Sequence, residues 1–191
     1  MANKDAAFGL KPVRMLSGVS NFTTNEYVIA SGATGPIYQG MLVIMDAGGG
    51  GDILPGTNTA DDSVGVFQGC SYTDPTSGKP TFKNFYPGSI TASDIVANVY
   101  DDPDIVYEIQ CDGTLAQASV GANADTTSMT SGSSTTGKSA GEISATTASG
   151  SAQLRIIGIS KDPDNSDQTS NNTNAYVIIN EHAYKTTTGT K

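Results

Sequence analysis

Apolar residues in this chain recur at every second position more often than at every third or fourth. Ile105, Tyr107, Ile109 and Cys111 alternate with Val106, Glu108 and Gln110, the pattern of a half-buried strand. Val64, Val66 and Cys70 alternate with Gly65, Gly69 and Ser71, with Phe67 interrupting the polar side. Ala175, Val177 and Ile179 alternate with Tyr176, Ile178 and Asn180. Residues 41–45 are a continuous apolar run and 154–159 an apolar run broken by Arg155, both too short for helices and suited to strands covered on both faces. Weaker strands are expected at 26–30 and 95–100, and residues 115–120 allow one short helix.

Turn signals separate these segments. Residues 48–51 are four consecutive glycines followed by Asp52, a loop tip. Residues 74–80, from Asp74-Pro75 to Lys79-Pro80, form a hairpin connection, and residues 101–104 around Pro103 a tight turn. About seven strands at such spacing predict an all-β fold, an antiparallel barrel or sandwich. Its core is predicted to contain Ile105, Tyr107, Ile109, Leu154, Ile156, Val177 and Ile179. The expected organisation is a single β domain from residues 25–120 and 152–185, with two additions. Residues 1–24 read as an extended N-terminal arm with sparse apolar anchors, Phe8, Leu10, Val13 and Leu16. Residues 121–151 read as a long Ser/Thr/Gly-rich loop or insertion whose sizeable apolar side chains are Met129 and Ile143. Such a composition buries too little surface to offset backbone ordering, so the loop is either mobile or ordered by packing on something else.

Charge narrows the function. Lys and Arg number 10 against 19 Asp and Glu, a net charge of -9. No basic cluster answers the counterion-releasing contacts of nucleic acid, and there is no Trp for base stacking. No apolar run approaches the ~20 residues of a membrane span. Between Lys83 and Lys138 seven acidic residues stand with no basic one, whereas Lys4, Lys11 and Arg14 outnumber Asp5 at the start. This asymmetry fits a solvated acidic body, or an arm that docks on an acidic partner or on a neighbouring copy. Residues 1–5 precede no apolar stretch of the kind an export signal needs, so Cys70 and Cys111 are expected as reduced core thiols.

Three motifs invite chemistry. Gly132-Ser133-Ser134-Thr135-Thr136-Gly137-Lys138-Ser139 matches the phosphate-loop pattern G-x-x-x-x-G-K-[ST]. Neither an apolar strand before it nor a helix after it is predicted, so no nucleotide site is expected. Asp162-Pro163-Asp164-Asn165-Ser166-Asp167 spaces oxygen ligands as calcium loops do, but lacks the Gly and Glu that complete them, and reads as a polar turn. His182 has no nucleophile motif beside it and reads as a strand-end hydrogen-bonding group. No catalytic residue, cofactor or metal is expected, and the chain is not expected to be an enzyme.

Several blocks resemble virion proteins of tailed bacteriophages: the opening Met1-Ala2-Asn3-Lys4-Asp5-Ala6-Ala7-Phe8-Gly9-Leu10-Lys11-Pro12, residues 65–74 through Lys79-Pro80, and residues 100–103 and 107–110. Gln153-Leu154-Arg155-Ile156-Ile157-Gly158 and Asn180-Glu181-His182-Ala183-Tyr184 complete the pattern. The resemblance implies a head decoration or cement protein that stabilises the capsid by bridging its subunits. It implies the major capsid protein as partner, a homo-oligomer with a trimer favoured, and a place on the outer capsid surface after synthesis in the host cytoplasm. Phe8, Leu10, Lys11 and Arg14 are the expected partner-docking residues. The competing expectation is a glycan- or receptor-binding β module of a phage tail or fibre.

Overall fold

The period-2 segments pair into sheets around one apolar core. The computed structural model describes residues 2–29, 33–48, 50–58, 62–148 and 150–185. In chain order its strands are β1 (Lys11–Met15), β2 (Asn25–Val28), β3 (Ile37–Tyr38), β4 (Leu42–Met45) and β5 (Ile53–Pro55). There follow β6 (Ser63–Thr73), β7 (Pro80–Lys83), β8 (Phe85–Tyr86), β9 (Val96–Tyr100) and β10 (Ile105–Gln110). The last are β11 (Asn123–Ala124), β12 (Thr126–Thr127), β13 (Glu142–Ile143), β14 (Leu154–Ile159) and β15 (Asn174–Ile179). The only helical element among the described residues is the 3-10 turn Gln117–Ser119, where a short helix was expected.

Every ladder is antiparallel. One sheet runs β1-β10-β15-β14-β11 and the other β2-β9-β6-β4-β5, with β7 extending the far half of β6. A single parallel bridge, Ile29 to Ile53, brings the two ends of the second sheet together, so that sheet curls toward closure. The architecture is the expected all-β one, sandwich-like and antiparallel. All seven predicted core residues are buried, and they join one cluster with Phe67, Val99, Leu42 and Tyr86. Gly65 makes the sheet contact possible, because a side chain there would collide with the Tyr100 carbonyl. Both cysteines are free and buried, and desolvation pushes Cys70 up to about 12 and Cys111 to about 11.

Three expectations change. First, β10 is covered on both faces rather than half-buried. Its second face, Val106, Glu108 and Gln110, is sealed partly by the N-terminal segment: Gln110 donates to the Lys4 carbonyl and accepts from the Ala6 amide, both at 2.9 Å. Second, that segment does not project as an arm. Residues 11–15 form an edge strand on β10, and Leu10 lies 2% exposed in the chain's own core. The Leu10 amide donates to the Gly40 carbonyl at 2.9 Å, and Gly9, at φ +73°, brings its backbone so close that a Cβ would stand 2.7 Å from that same oxygen. Leu10 is therefore not available to a partner.

Third, residues 121–151 are a packed insertion. Met129 and Ile143 are fully buried, Thr126 donates to Gln153 at 2.6 Å, and the Met129 amide donates to Asn58 at 2.8 Å. Two apolar anchors and many backbone-to-body hydrogen bonds do here what a continuous apolar stripe does elsewhere. Met129→Ala is expected to cost about 2–5 kcal/mol, as Ile156→Ala should, by removing buried methylenes. Exposed Ser134→Ala should leave the melting temperature unchanged. Thermal unfolding of the three variants checks this; a neutral Met129→Ala would mean the insertion is not anchored as described.

Candidate functional site

Two features that the sequence presents separately meet in space. The N-terminal segment and the hairpin around Lys138 flank a cleft of about 460 Å³. Phe8, Leu10 and Pro12 line it with apolar groups, while Lys11, Lys138, Glu108 and Asp162 supply charges and Gln39, Gln68 and Asn174 amides. Of the four expected docking residues the cleft gathers Phe8, Leu10 and Lys11. Arg14 lies outside it, half-buried, with Nη1 donating to the Met15 carbonyl at 3.3 Å.

Glu108 is the buried charge of this site, at 9% exposure. Its Oε1 accepts from the Ser160 hydroxyl at 2.7 Å and from Asn174 Nδ2 at 3.4 Å, which fixes the carboxylate plane. Lys11 stands opposite Glu108 in the β1–β10 register, yet no ammonium lies within 4.0 Å of that carboxylate. The one ion pair among the described residues is Lys185 with Asp104 at 2.9 Å, elsewhere on the molecule. Alternation alone sends Glu108 to the solvent side of a strand. Its burial depends on residues roughly a hundred positions earlier and fifty later, so no local signal reveals it.

The phosphate-loop match is a β-hairpin turn. Gly132 and Ser139 face each other across it, and no helix follows. The amides of Ser133, Thr136, Gly137, Lys138 and Ser139 are bonded within the turn or to Gln39. Both glycines have packing reasons: a Cβ on Gly132 would strike the Tyr38 ring, and one on Gly137, at φ +71°, would strike the Asn84 side chain. Ser139 is buried, and its hydroxyl accepts from the Gly141 amide at 2.9 Å. Only the Lys138 side chain is left to the cleft, without a phosphate cradle around it.

The 162–167 turn satisfies its own carboxylates. Asp162 accepts from the Asp164 amide at 3.1 Å, and Asp167 accepts from Thr169 and Ser170, bonds that hold its carboxyl below the ordinary range. No group of three His, Cys, Asp or Glu side chains placed to hold a metal occurs among the described residues.

His182 is fully buried at a strand end, beside the bridge to Ser63. Its Nδ1 accepts the Tyr184 amide at 3.2 Å, while Nε2 has no hydrogen-bond partner among the described residues. Near it, Asp101 is held by Tyr27 Oη at 2.6 Å and by Asn25 at 3.0 Å, and Tyr27 in turn meets Tyr184 Oη at 2.6 Å. Desolvation first, then Lys185, hold the imidazole below its ordinary 6.5, against the opposing pull of Asp101 and Asp102. The unfolded chain therefore takes up this proton more readily than the folded one, and the stabilising contribution is complete above about pH 6.5 and lost as pH falls below it.

Two measurements follow. The melting temperature should fall between pH 7 and 5.5, and His182→Gln should flatten that slope; an unchanged slope would remove His182 from the account. Gly137→Ala should destabilise the protein by about 1–2 kcal/mol for the left-handed backbone alone and so lower the melting temperature, while Lys138→Ala should not. Adding ATP with magnesium should shift neither protein's unfolding, and a stabilisation lost in Lys138→Ala would restore the phosphate-loop assignment.

Compared with known protein families, curated proteins and solved structures, the chain matches none.

Proposed function

We propose that this chain is a virion structural protein, a capsid decoration or cement protein that stabilises a phage head by bridging capsid subunits. The observation that carries this reading is a group of large apolar side chains left in water on segments around the Asp101–Asp104 turn. Leu16, Val19 and Tyr184 are 45%, 57% and 53% exposed. Leu16 and Tyr184 sit on segments bonded to the Asp101–Asp104 turn, and Val19 on the turn that adjoins Leu16. The Leu16 amide donates to the Asp104 carbonyl at 2.8 Å, Val19 closes the adjoining Met15–Val19 turn by accepting from the Met15 amide at 2.7 Å, and Lys185 beside Tyr184 pairs with Asp104. Single exposed apolar residues are ordinary, but a cluster with a charged rim marks a surface that another protein covers.

A cement protein requires a stable β body, an acidic exterior that avoids the packaged genome, and a contact surface for the shell. The sequence resemblance supplies the identity of the partner, the major capsid protein, and the expectation of a trimer. With Leu10 committed to the core, the contact surface passes to side chains that are free. A second reading, a glycan- or receptor-binding module, is favoured by the amide-rich cleft with Phe8 at its wall. Among the described residues Phe8 is the only aromatic lining that cleft, and carbohydrate sites usually stack a sugar on several.

Deleting residues 1–16 would remove a strand and a core leucine, so point variants give the cleaner test. Leu16→Asp with Val19→Asp should leave a folded protein that no longer co-sediments with capsids lacking this component, to which intact protein binds. Binding by the double variant equal to that of the intact chain would discard this patch as the anchor. Failure of the intact chain to bind any such capsid, with binding to a glycan panel instead, would favour the tail or fibre module.

A further inference from the structure

We infer that the Glu108 cleft is a docking site for an extended peptide segment of a partner protein, anchored by one Lys or Arg side chain of that segment. The inference starts from an unbalanced charge. A carboxylate removed from water is ordinarily paired with a cation or fully hydrogen-bonded, since isolated burial of the charge is costly. Glu108 is nine-tenths buried, and both of its hydrogen bonds fall on Oε1. Oε2 has no partner among the described residues, and it is not sealed from solvent. Ser160 and Asn174 hold the carboxylate through Oε1, and the residue lines the cleft, where Oε2 is left without a bond.

The missing partner is a cation that this chain does not supply. Lys11 and Lys138 line the same cleft, but neither comes within 4.0 Å of Glu108. Asp162 lines the cleft too, and neither lysine pairs with it, so the lining carries two unpaired charges of each sign, which selects against a wholly basic ligand and favours one that carries an acidic group beside the anchoring cation. A lone ammonium does not fill 460 Å³, which lies within the range of about 300–1,000 Å³ typical of ligand sites. The apolar surface of Phe8 and Pro12 calls for aliphatic cover as well. A short extended segment with one cation, one aliphatic residue and one carboxylate meets all three requirements. The inference does not depend on the virion reading, because its test uses the isolated chain.

The test is an amide NMR titration of the intact protein with acetyl-Ala-Lys-Leu-Asp-amide, with its twin carrying norleucine in place of the lysine, and with spermidine. The lysine peptide should shift the amides of Leu10, Gln39 and Glu108, and norleucine should weaken binding about tenfold, the loss of one charge-assisted hydrogen bond. Glu108→Gln should weaken the lysine peptide equally while leaving the norleucine peptide unaffected. Should that variant fold poorly, the comparison of the two peptides on the intact chain still decides the matter. Equal affinity of the two peptides, or no shift at these amides with either, would overturn the proposal. Spermidine binding as tightly as the lysine peptide would overturn it too, since a free polyamine would then suffice.

Discussion

The structure depends on a backbone crossing. Gly9 passes over Gly40 at a separation no side chain on Gly9 would allow, and the hydrogen bond from Leu10 to the Gly40 carbonyl locks the two together. From that point the chain runs one way into β1, which caps an edge of the first sheet. In the other direction residues 3–8 run across polar groups of β10 and of the 162–174 loop: Asn3 bonds to Asp167 and Asn171, and Asn165 bonds to Lys4. The same crossing places Phe8 and Leu10 beside Gln39 and the Lys138 hairpin. Core sealing, edge protection and the cleft thus share one origin. An edge strand with Pro12 and a bulge between Pro12 and Arg14 is also poorly suited to pairing with further chains.

What was legible in the sequence was whatever repeats locally. The alternation through Ile105 and Ile109, through Ala175 and Ile179, and the run from Leu154 to Ile159 gave three central strands of one sheet, because a strand in a layered fold states its buried face every second residue. The cleft was not legible. Glu108 has the same local pattern as any solvent-facing strand residue, and its burial is decided by Ser160, Asn174 and the N-terminal segment. The 121–151 insertion was illegible for a related reason. Its order comes from the side-chain carbonyls of Gln153 and Asn58 and the backbone of Gln39, which leave no periodic trace.

The phosphate-loop match shows how a pattern and its physics can separate. Glycines in such a motif are informative because they permit something that a Cβ forbids. Here what they permit is contact with Tyr38 and with Asn84. The ring of Tyr38, stacked on Phe85 at 5.8 Å, occupies the space beside Gly132. Similar spacing of Gly, Gly and Lys therefore arises from packing a hairpin on an aromatic pair.

The polar lock between Gln110 and the first residues has a consequence for the order of events during synthesis. Its partners are 104 and 106 residues apart, and Asn3 meets Asp167 across 164. A ribosome adding about 5–20 residues per second therefore exposes the N-terminal segment for many seconds before any of these partners exists. Local hairpins such as β6–β7 can form meanwhile, but the first sheet lacks its centre until β15 emerges. Maturation of this chain is consequently retrograde: the earliest residues made are among the last to find their place, and closure of the fold is timed by its far end.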